Sequence, residues 1–303
     1  MEVRRHQTTL EAAMRDGRWQ GEVVRLSRGV GLDRVSSVST ASLSLTHVRF
    51  PHEATVLTQQ PKGFVTFTLP LTRGRKLRVN GTARPDHGLF VNFGCRETQI
   101  FGHGRDHIAG RIKTERLLSA LSQITGSALQ EAAVPRGAVG LARSIHERLV
   151  HGLLVEIYAQ PAKAEAATVF EERIVHIFAC ALISAHQLND GAAKALQIVN
   201  QARRALDLSK NKQPTLTEIC DAAGFSAPVV TNAFQCVTGA SPARYARLAR
   251  LARAHSELCK GNPMTASVKE VALEMGFREL GRFSGLYRQV YGRLPAQALG
   301  SVG

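Results

Sequence analysis

Along the chain the spacing of apolar positions changes near Arg111. Before it, from Gly21 on, short runs rich in Val, Leu, Phe and Thr partly alternate with polar residues: EVVRLSRGVGLDRV, ASLSLTHVRF, GFVTFTLPL, KLRVNGTA and GLFVNFG. Turn formers separate them, among them Gly29 and Gly31, Pro51, Pro61 with Gly63, Arg73-Gly74, and Pro85 through Gly88. A period of two predicts half-buried strands, roughly six to eight of them here. Asn80-Gly81 between apolar runs predicts a two-residue hairpin. Many short strands at this spacing predict an antiparallel β-barrel or double-sheet roll, whose interior has room for one small ligand. Residues 1–20 read as a polar, helical lead-in.

After Arg111 the period becomes three to four. RIKTERLLSALSQITG, AVGLARSIHERLVHGLLVEIYAQ and AEAATVFEERIVHIFACALISAHQL predict three amphipathic helices, broken by Gly126, Pro135 with Gly137, and Pro161. In the last, Phe170, Ile174, Ile177, Phe178, Ala181 and Leu182 form one stripe. The helices have the sheets, each other or a second subunit to pack on. Asn189-Asp190-Gly191 reads as the domain boundary, and AAKALQIVNQARRALDLSKN as a linker helix. The expected class is α+β: an N-terminal domain over 1–190 (strands 21–110, helices 111–190) and an all-α domain over 191–303.

Within the second domain one pattern occurs twice, as TLTEICDAAGF and SVKEVALEMGF. Thr215 with Glu218, and Ser267 with Glu270, have capping-box spacing and each start a helix. Gly224 and Gly276 are placed to end those helices in a left-handed residue. A turn and a second helix follow in each, at about 226–237 and 278–291. Ile219, Ala222, Phe225, Val230 and Phe234 are the expected core of the first unit, and Val271, Phe277, Phe283 and Tyr287 that of the second. The offset between copies is 52 residues up to Phe277 and 53 afterwards, so the second turn carries one extra residue. Between the units, Ser241 caps and Pro242 opens one long helix. Tyr245, Leu248, Leu251, Ala252, His255 and Leu258 form its stripe, with Arg244, Arg247, Arg250 and Arg253 over the rest. That helix fixes the distance between two helix-turn-helix units.

Charge sharpens the picture. The formal net charge is +15, and residues 191–303 hold 15 Lys/Arg against 7 Asp/Glu. Strongly basic chains meet nucleic acid or anionic surfaces; an Arg- and Ala-rich proteome gives the same balance without function. The five cysteines are scattered with no metal-ligand spacing, which favours reduced thiols, mostly as small core residues. No apolar leader or membrane-length run is present, and a cytoplasmic protein is expected.

The duplicated units, NAFQCVTGASPARYARLARLARA and VKEVALEMGFRELGRFSGLYRQVYGRLP together resemble the AraC/XylS family of transcription regulators, over about 192–299. The last stretch is similar to the branch of ethanolamine-utilisation regulators. The resemblance implies two recognition helices in successive major-groove turns of promoter DNA. It also implies an effector-sensing or dimerising N-terminal domain, with a homodimer and RNA polymerase among the partners.

A recognition helix aims its N-terminal and outward residues at base edges. In the first unit these are Thr231 and Asn232, since Asn pairs with adenine and Thr touches a thymine methyl. Gln235, one turn on, is a phosphate candidate. In the second they are Arg278 and Arg282, with Ser284 and Arg288 beyond. Arg is the commonest guanine reader, though plain neutralisation of phosphate accounts for these arginines as well. Arg244, Arg247 and Arg293 are phosphate candidates or solvated surface. The first helix carries no Lys or Arg, and Leu280, Gly281 and Gly285 stand where relatives carry polar readers.

His103 and His107 in FGHGRDHIAG are read as loop residues, without metal or cofactor. No nucleophile elbow or phosphate loop gives an enzyme a positive feature. The arginines of the first 34 residues raise an anionic effector. The expected function is a sequence-specific DNA-binding regulator responding to a small molecule. The alternative is a ligand-binding or protein-interaction module that has lost specific DNA reading.

Overall fold

The computed structural model describes residues 3–15, 21–28, 33–59, 61–71, 77–83, 87–93, 97–131, 134–159, 167–187, 193–208, 214–262 and 266–300. Gly29, Gly31, Arg73-Gly74, Pro85, Cys95, Pro161 and the expected boundary at Asn189-Asp190-Gly191 lie outside these residues. The β region is richer than its sequence pattern predicts. Ten strands lie between Gly21 and Lys113 among the described residues: β2 (Gly21–Ser27), β3 (Arg34–Ser39), β4 (Leu43–Phe50), β5 (Glu53–Gln59), β6 (Phe64–Pro70), β7 (Leu77–Val79), β8 (Thr82–Ala83), β9 (Gly88–Phe93), β10 (Glu97–Gly102) and β11 (Arg105–Lys113). FGHGRDHIAG is therefore the end of β10, a tight corner at His103-Gly104 and most of β11, two strands that belong to different sheets, and not a loop. Its glycines shape the turn, while the strand on either side of them is held by long-range pairing. The lead-in contributes a strand, β1 (Arg4–Thr8), before its short helix α1 (Leu10–Arg15). Asn80 and Gly81 both have positive φ (53° and 84°), as the β7–β8 hairpin turn requires.

The strands form two antiparallel sheets that do not close into a barrel. One sheet has the order β1-β3-β4-β11-β6-β9-β12-β13, where β12 (Gly137–Gly140) and β13 (His186–Gln187) come from the helical region. The other has the order β2-β5-β10-β7-β8. Helices α2 (Thr114–Thr125), α3 (Arg143–Tyr158) and α4 (Ala167–Ile183) cover the outer face of the larger sheet, with Leu45, Phe67, Ile108, Phe170, Ile174 and Phe178 in one buried cluster. Of the stripe predicted on α4, only Ile177 is half-buried instead of buried.

Period-two geometry then assigns the remaining faces. Val23, Val35, Val48, Phe50 and Val56 pack between the two sheets. Val24, Leu26 and Phe101, the neighbours of residues that point inward, pack instead against the C-terminal helices. The smaller sheet is thus covered on both faces, which explains why Val23-Val24 and Ile100-Phe101 read as apolar pairs and not as alternation. The molecule stacks four layers: helices α2–α4, the large sheet, the small sheet, and the C-terminal helices.

Those helices are α5 (Ala193–Leu208), α6 (Leu216–Ala223), α7 (Ala227–Thr238), α8 (Pro242–Lys260), α9 (Val268–Glu274) and α10 (Leu280–Tyr291), followed by a 3-10 turn at Pro295–Ala298. The predicted α8 stripe is buried throughout. Of the thiols, only Cys259 is buried among the described residues; Cys180 is exposed and Cys220 and Cys236 are half-buried. The expectation of core cysteines fails because three of them fall on helix faces that look outward or onto the domain junction.

Candidate nucleic-acid interface

The first unit, α6–α7, starts with a complete capping box. The Thr215 amide donates to Glu218 Oε2 (2.7 Å), and the Glu218 amide donates to Thr215 Oγ1 (3.2 Å). The second unit, α9–α10, has half of one. The Glu270 amide donates to Ser267 Oγ (3.4 Å), and no return bond from Glu270 completes the box. Gly224 and Gly276 take the left-handed conformation (φ 71° and 75°) that their placement requires. The second helix begins three residues after Gly224 but four after Gly276, which locates the one-residue insertion.

The two cores match at two positions of the second helix. Val230 and Phe234 in the first, and Phe283 and Tyr287 in the second, are buried. Ala222 is exposed, and Ala223 is buried in its place; Val271 is half-buried beside a buried Ala272. Each short helix is turned by about one residue from the face that its pattern predicts. The Tyr287 hydroxyl lies 2.6 Å from His255 Nδ1 and so ties α10 to α8.

On the outward faces, Asn232 and Gln235 of α7 are exposed and Thr231 is half-buried. Gln235 Nε2 donates to the Gly239 carbonyl (3.3 Å), which folds this side chain onto its own helix end. In the second unit Arg278 lies in the turn before α10, and Arg278, Arg282 and Arg288 are exposed with Ser284 half-buried. A methyl group at Gly281 or Gly285 would meet open space, so this stretch of helix is bare backbone flanked by arginines. The sequence reading missed Glu279. Its carboxylate holds Arg282 through both oxygens, at 3.1 and 3.0 Å. Opposite charges three residues apart on a helix were the available signal.

The arginines of α8 separate into three roles. Arg247 is exposed. Arg244 is exposed too, but its Nη2 donates to the Leu26 carbonyl of β2 (2.9 Å). Arg250, expected on the outer face, is buried: it donates to the Gly276 carbonyl (3.4 Å) and lies 5.1 Å over the Phe277 ring. Burial, together with Arg247 and Arg253, lowers its pKa. It bridges the middle helix to the second unit. Arg293 is half-buried and reaches Cys259 Sγ at 3.9 Å.

The small sheet clamps this assembly from behind. Thr55 Oγ1 of β5 donates to the Thr238 carbonyl at the end of α7 (2.7 Å), and Arg78 Nη1 of β7 donates to the Cys236 carbonyl (3.3 Å). Arg253 pairs with Glu22 of β2 (3.6 Å), and Arg203 of α5 pairs with Glu97 of β10 (3.3 Å). Asn232, Arg278, Arg282 and Arg288 stay exposed while these contacts are made.

Comparison with known proteins bears on this half. A profile of a helix-turn-helix domain matches residues 219–300. The probable thc operon regulatory protein of Rhodococcus erythropolis is 30% identical over 105 residues, 35% of this chain and 32% of that protein. The XylDLEGF operon transcriptional activator 2 of Pseudomonas putida is 36% identical over 87 residues, 28% of this chain and 54% of that protein. The chain thus spans between a third and about half of the length of these curated relatives. A solved structure of a probable AraC family transcriptional regulator from Rhodopseudomonas palustris CGA009 is 30% identical, covering 34% of this chain and 94% of that one, with a TM-score of 0.31.

Proposed function

The chain belongs to the AraC/XylS family of transcription regulators, and from that premise we propose that it is a sequence-specific DNA-binding regulator that answers to a small molecule. One observation carries the reading: two helix-turn-helix units of matching core, set on one buried helix, keep their outward residues exposed while the N-terminal sheet is docked behind them. Residues 191–303 bind promoter DNA and residues 1–190 sense the effector or dimerise. Asn232 and Thr231 read bases in the first unit; Arg278 and Arg282 read or grip in the second, with Ser284, Arg288, Gln235, Arg244 and Arg247 at the edges. For Arg244, phosphate contact requires release from the Leu26 carbonyl. The Pseudomonas relative is named for activating its operon, and the same sense of control, exercised on RNA polymerase in the cytoplasm, is proposed here. No helix among the described residues is long and apolar enough to cross a membrane.

The test is a mobility-shift titration of the full chain on the DNA upstream of its own gene, with unrelated competitor DNA in excess. A shift that survives competitor supports the reading. Binding that disappears equally on all sequences favours a module that no longer reads DNA.

A further inference from the structure

Between the two sheets the packing is apolar at both ends and open in the middle. One small cluster, with Phe50 and Val56, fills one end, and another, with Val79, Phe90 and Ile100, fills the other. The gap between them is a cavity of about 460 Å³, inside the size range of small-molecule sites. Hydroxyl groups dominate its wall: Ser37, Ser44, Thr46, Thr66, Thr68 and Thr98. Thr66 is 5% exposed, and its Oγ1 has no hydrogen-bond partner. A buried hydroxyl left unpaired is costly, and a ligand with matching groups recovers that cost.

The charge of the wall has one sign. No carboxylate lines the cavity among the described residues, whereas Arg111 does, and Arg4 and His6 stand at the exposed rim. Arg111 is half-buried on β11 with its guanidinium 5.4 Å over the Phe64 ring; among the described residues no acid pairs with it. Burial lowers its pKa. Two residues further along the same face of β11 add to the pattern. Arg105 is 4% exposed, with Nε and Nη2 unpartnered, and His107 is buried, its pKa pushed down to about 3 by burial and by the charge of Arg105. The interior face of β11 therefore carries two arginines beside a neutral His107, and among the described residues no carboxylate pairs with either arginine.

We propose that this cavity binds a small hydroxylated carboxylate, of the sugar-acid or hydroxy-acid class, with the carboxylate on Arg111 and the ligand hydroxyls on the threonine and serine wall. A planar guanidinium suits a carboxylate, and a single cation inside the cavity matches one negative charge better than the two of a phosphate ester. The wall also carries the coupling. Thr58 and Thr98 line the cavity on β5 and β10, and the same two strands carry Thr55 and Phe101, which contact the end of α7. This inference rests on the reading of the chain as an effector-responsive regulator.

The test uses the full chain in calorimetry and thermal denaturation. The probes are glycerate, tartrate, gluconate and quinate, with sorbitol, hexanoate and glucose 6-phosphate as matched compounds that lack the charge, the hydroxyls or the carboxylate. Saturable binding of at least one hydroxy acid is expected, weakened about tenfold or more in Arg111→Gln and less in Arg111→Lys. Thr66→Val, nearly isosteric, is expected to weaken it about three- to tenfold without disturbing the fold. The site is overturned if no acid binds, if sorbitol or hexanoate binds as well, or if Arg111→Gln binds like the parent; tighter binding of glucose 6-phosphate overturns the carboxylate. Operator binding by the same preparation is measured in parallel. Its loss overturns the regulator reading, whereas operator binding without any ligand response overturns only the site.

Discussion

In the first helix-turn-helix unit the second helix ends against Phe101 and Thr55 in the middle of the small sheet; in the second unit it ends against the side chains of Arg25 and Arg28, on and just after β2 of the same sheet. Gly239, which closes α7, faces the ring of Phe101 so closely that a methyl group there would fall inside it. The Thr55 bond to Thr238 lies beside it, fully buried. Gly292, which closes α10, faces the flexible guanidinium of Arg28, and Tyr291 before it lies 5.3 Å from Arg25. The outward faces differ as well. That of α7 is uncharged, with Asn232 and Gln235 exposed beside Pro228 and Val229, and that of α10 exposes Gly281 and Gly285 among arginines, with Leu280 at its start. Similar cores therefore leave two properties free, the tie to the N-terminal sheet and the chemistry of the outward face, and the two units resolve both differently.

The largest effect that would break this contrast is steric. Gly239→Ala takes on a left-handed alanine and must move Phe101, and a loss of about 2–4 kcal/mol of stability is expected in denaturant titration. Gly292→Ala carries the same backbone cost, but the Arg28 side chain swings aside, so about 1–2 kcal/mol is expected. Equal losses would mean that the sheet does not hold α7 more firmly than α10.

Next comes the DNA face. Asn232→Ala is expected to cost ~1–3 kcal/mol at one base position, with the salt dependence unchanged. Joint replacement of Arg278 and Arg282 by Ala should lower the slope of log K against log salt by about 2 and weaken all sequences together. Arg282→Ala alone discriminates further: a loss confined to one base position makes it a reader, and a uniform loss makes it a phosphate contact. Its bond to Glu279 bears on the outcome, since Glu279→Ala frees the guanidinium and should strengthen binding to every sequence if Arg282 only grips phosphate.

The smallest effect concerns the caps. Thr215→Ala removes the hydroxyl that accepts from the Glu218 amide (3.2 Å) and donates to the Glu218 carboxylate (3.1 Å), and should cost about 1–2 kcal/mol, while Ser267→Ala removes one long bond (3.4 Å) and should cost about 0.5–1 kcal/mol. Thermal melts of the two variants give the comparison, and the reverse order would show that the pairing at Thr215 contributes nothing.

Several of these features are legible in the chain itself. Thr215, Glu218, Gly224 and Gly276 act on neighbours within one helical turn, so their spacing is enough to place helix starts and stops. The α8 stripe from Tyr245 to Leu258 is equally local. The interior of the N-terminal roll is not. Arg105 and His107 sit in a segment with two turn glycines, and only pairing of β11 with β4 and β6 makes it a central strand. Arg250 looks like its exposed neighbours Arg247 and Arg244 in sequence, and the packing of α9–α10 against α8 is what covers it.

By itself the sequence determined the helix-turn-helix duplication, its caps, its aromatic cores and the class of the N-terminal domain, because each depends on residues close together in the chain. Tertiary structure alone decided that two sheets face each other without closing and that the smaller one is sandwiched between the larger sheet and the C-terminal helices. It also decided that Arg111 on β11 faces a hydroxyl-lined cavity. Those outcomes depend on strands far apart in sequence choosing partners and faces, and a period of two fixes which residues share a face but not what covers it.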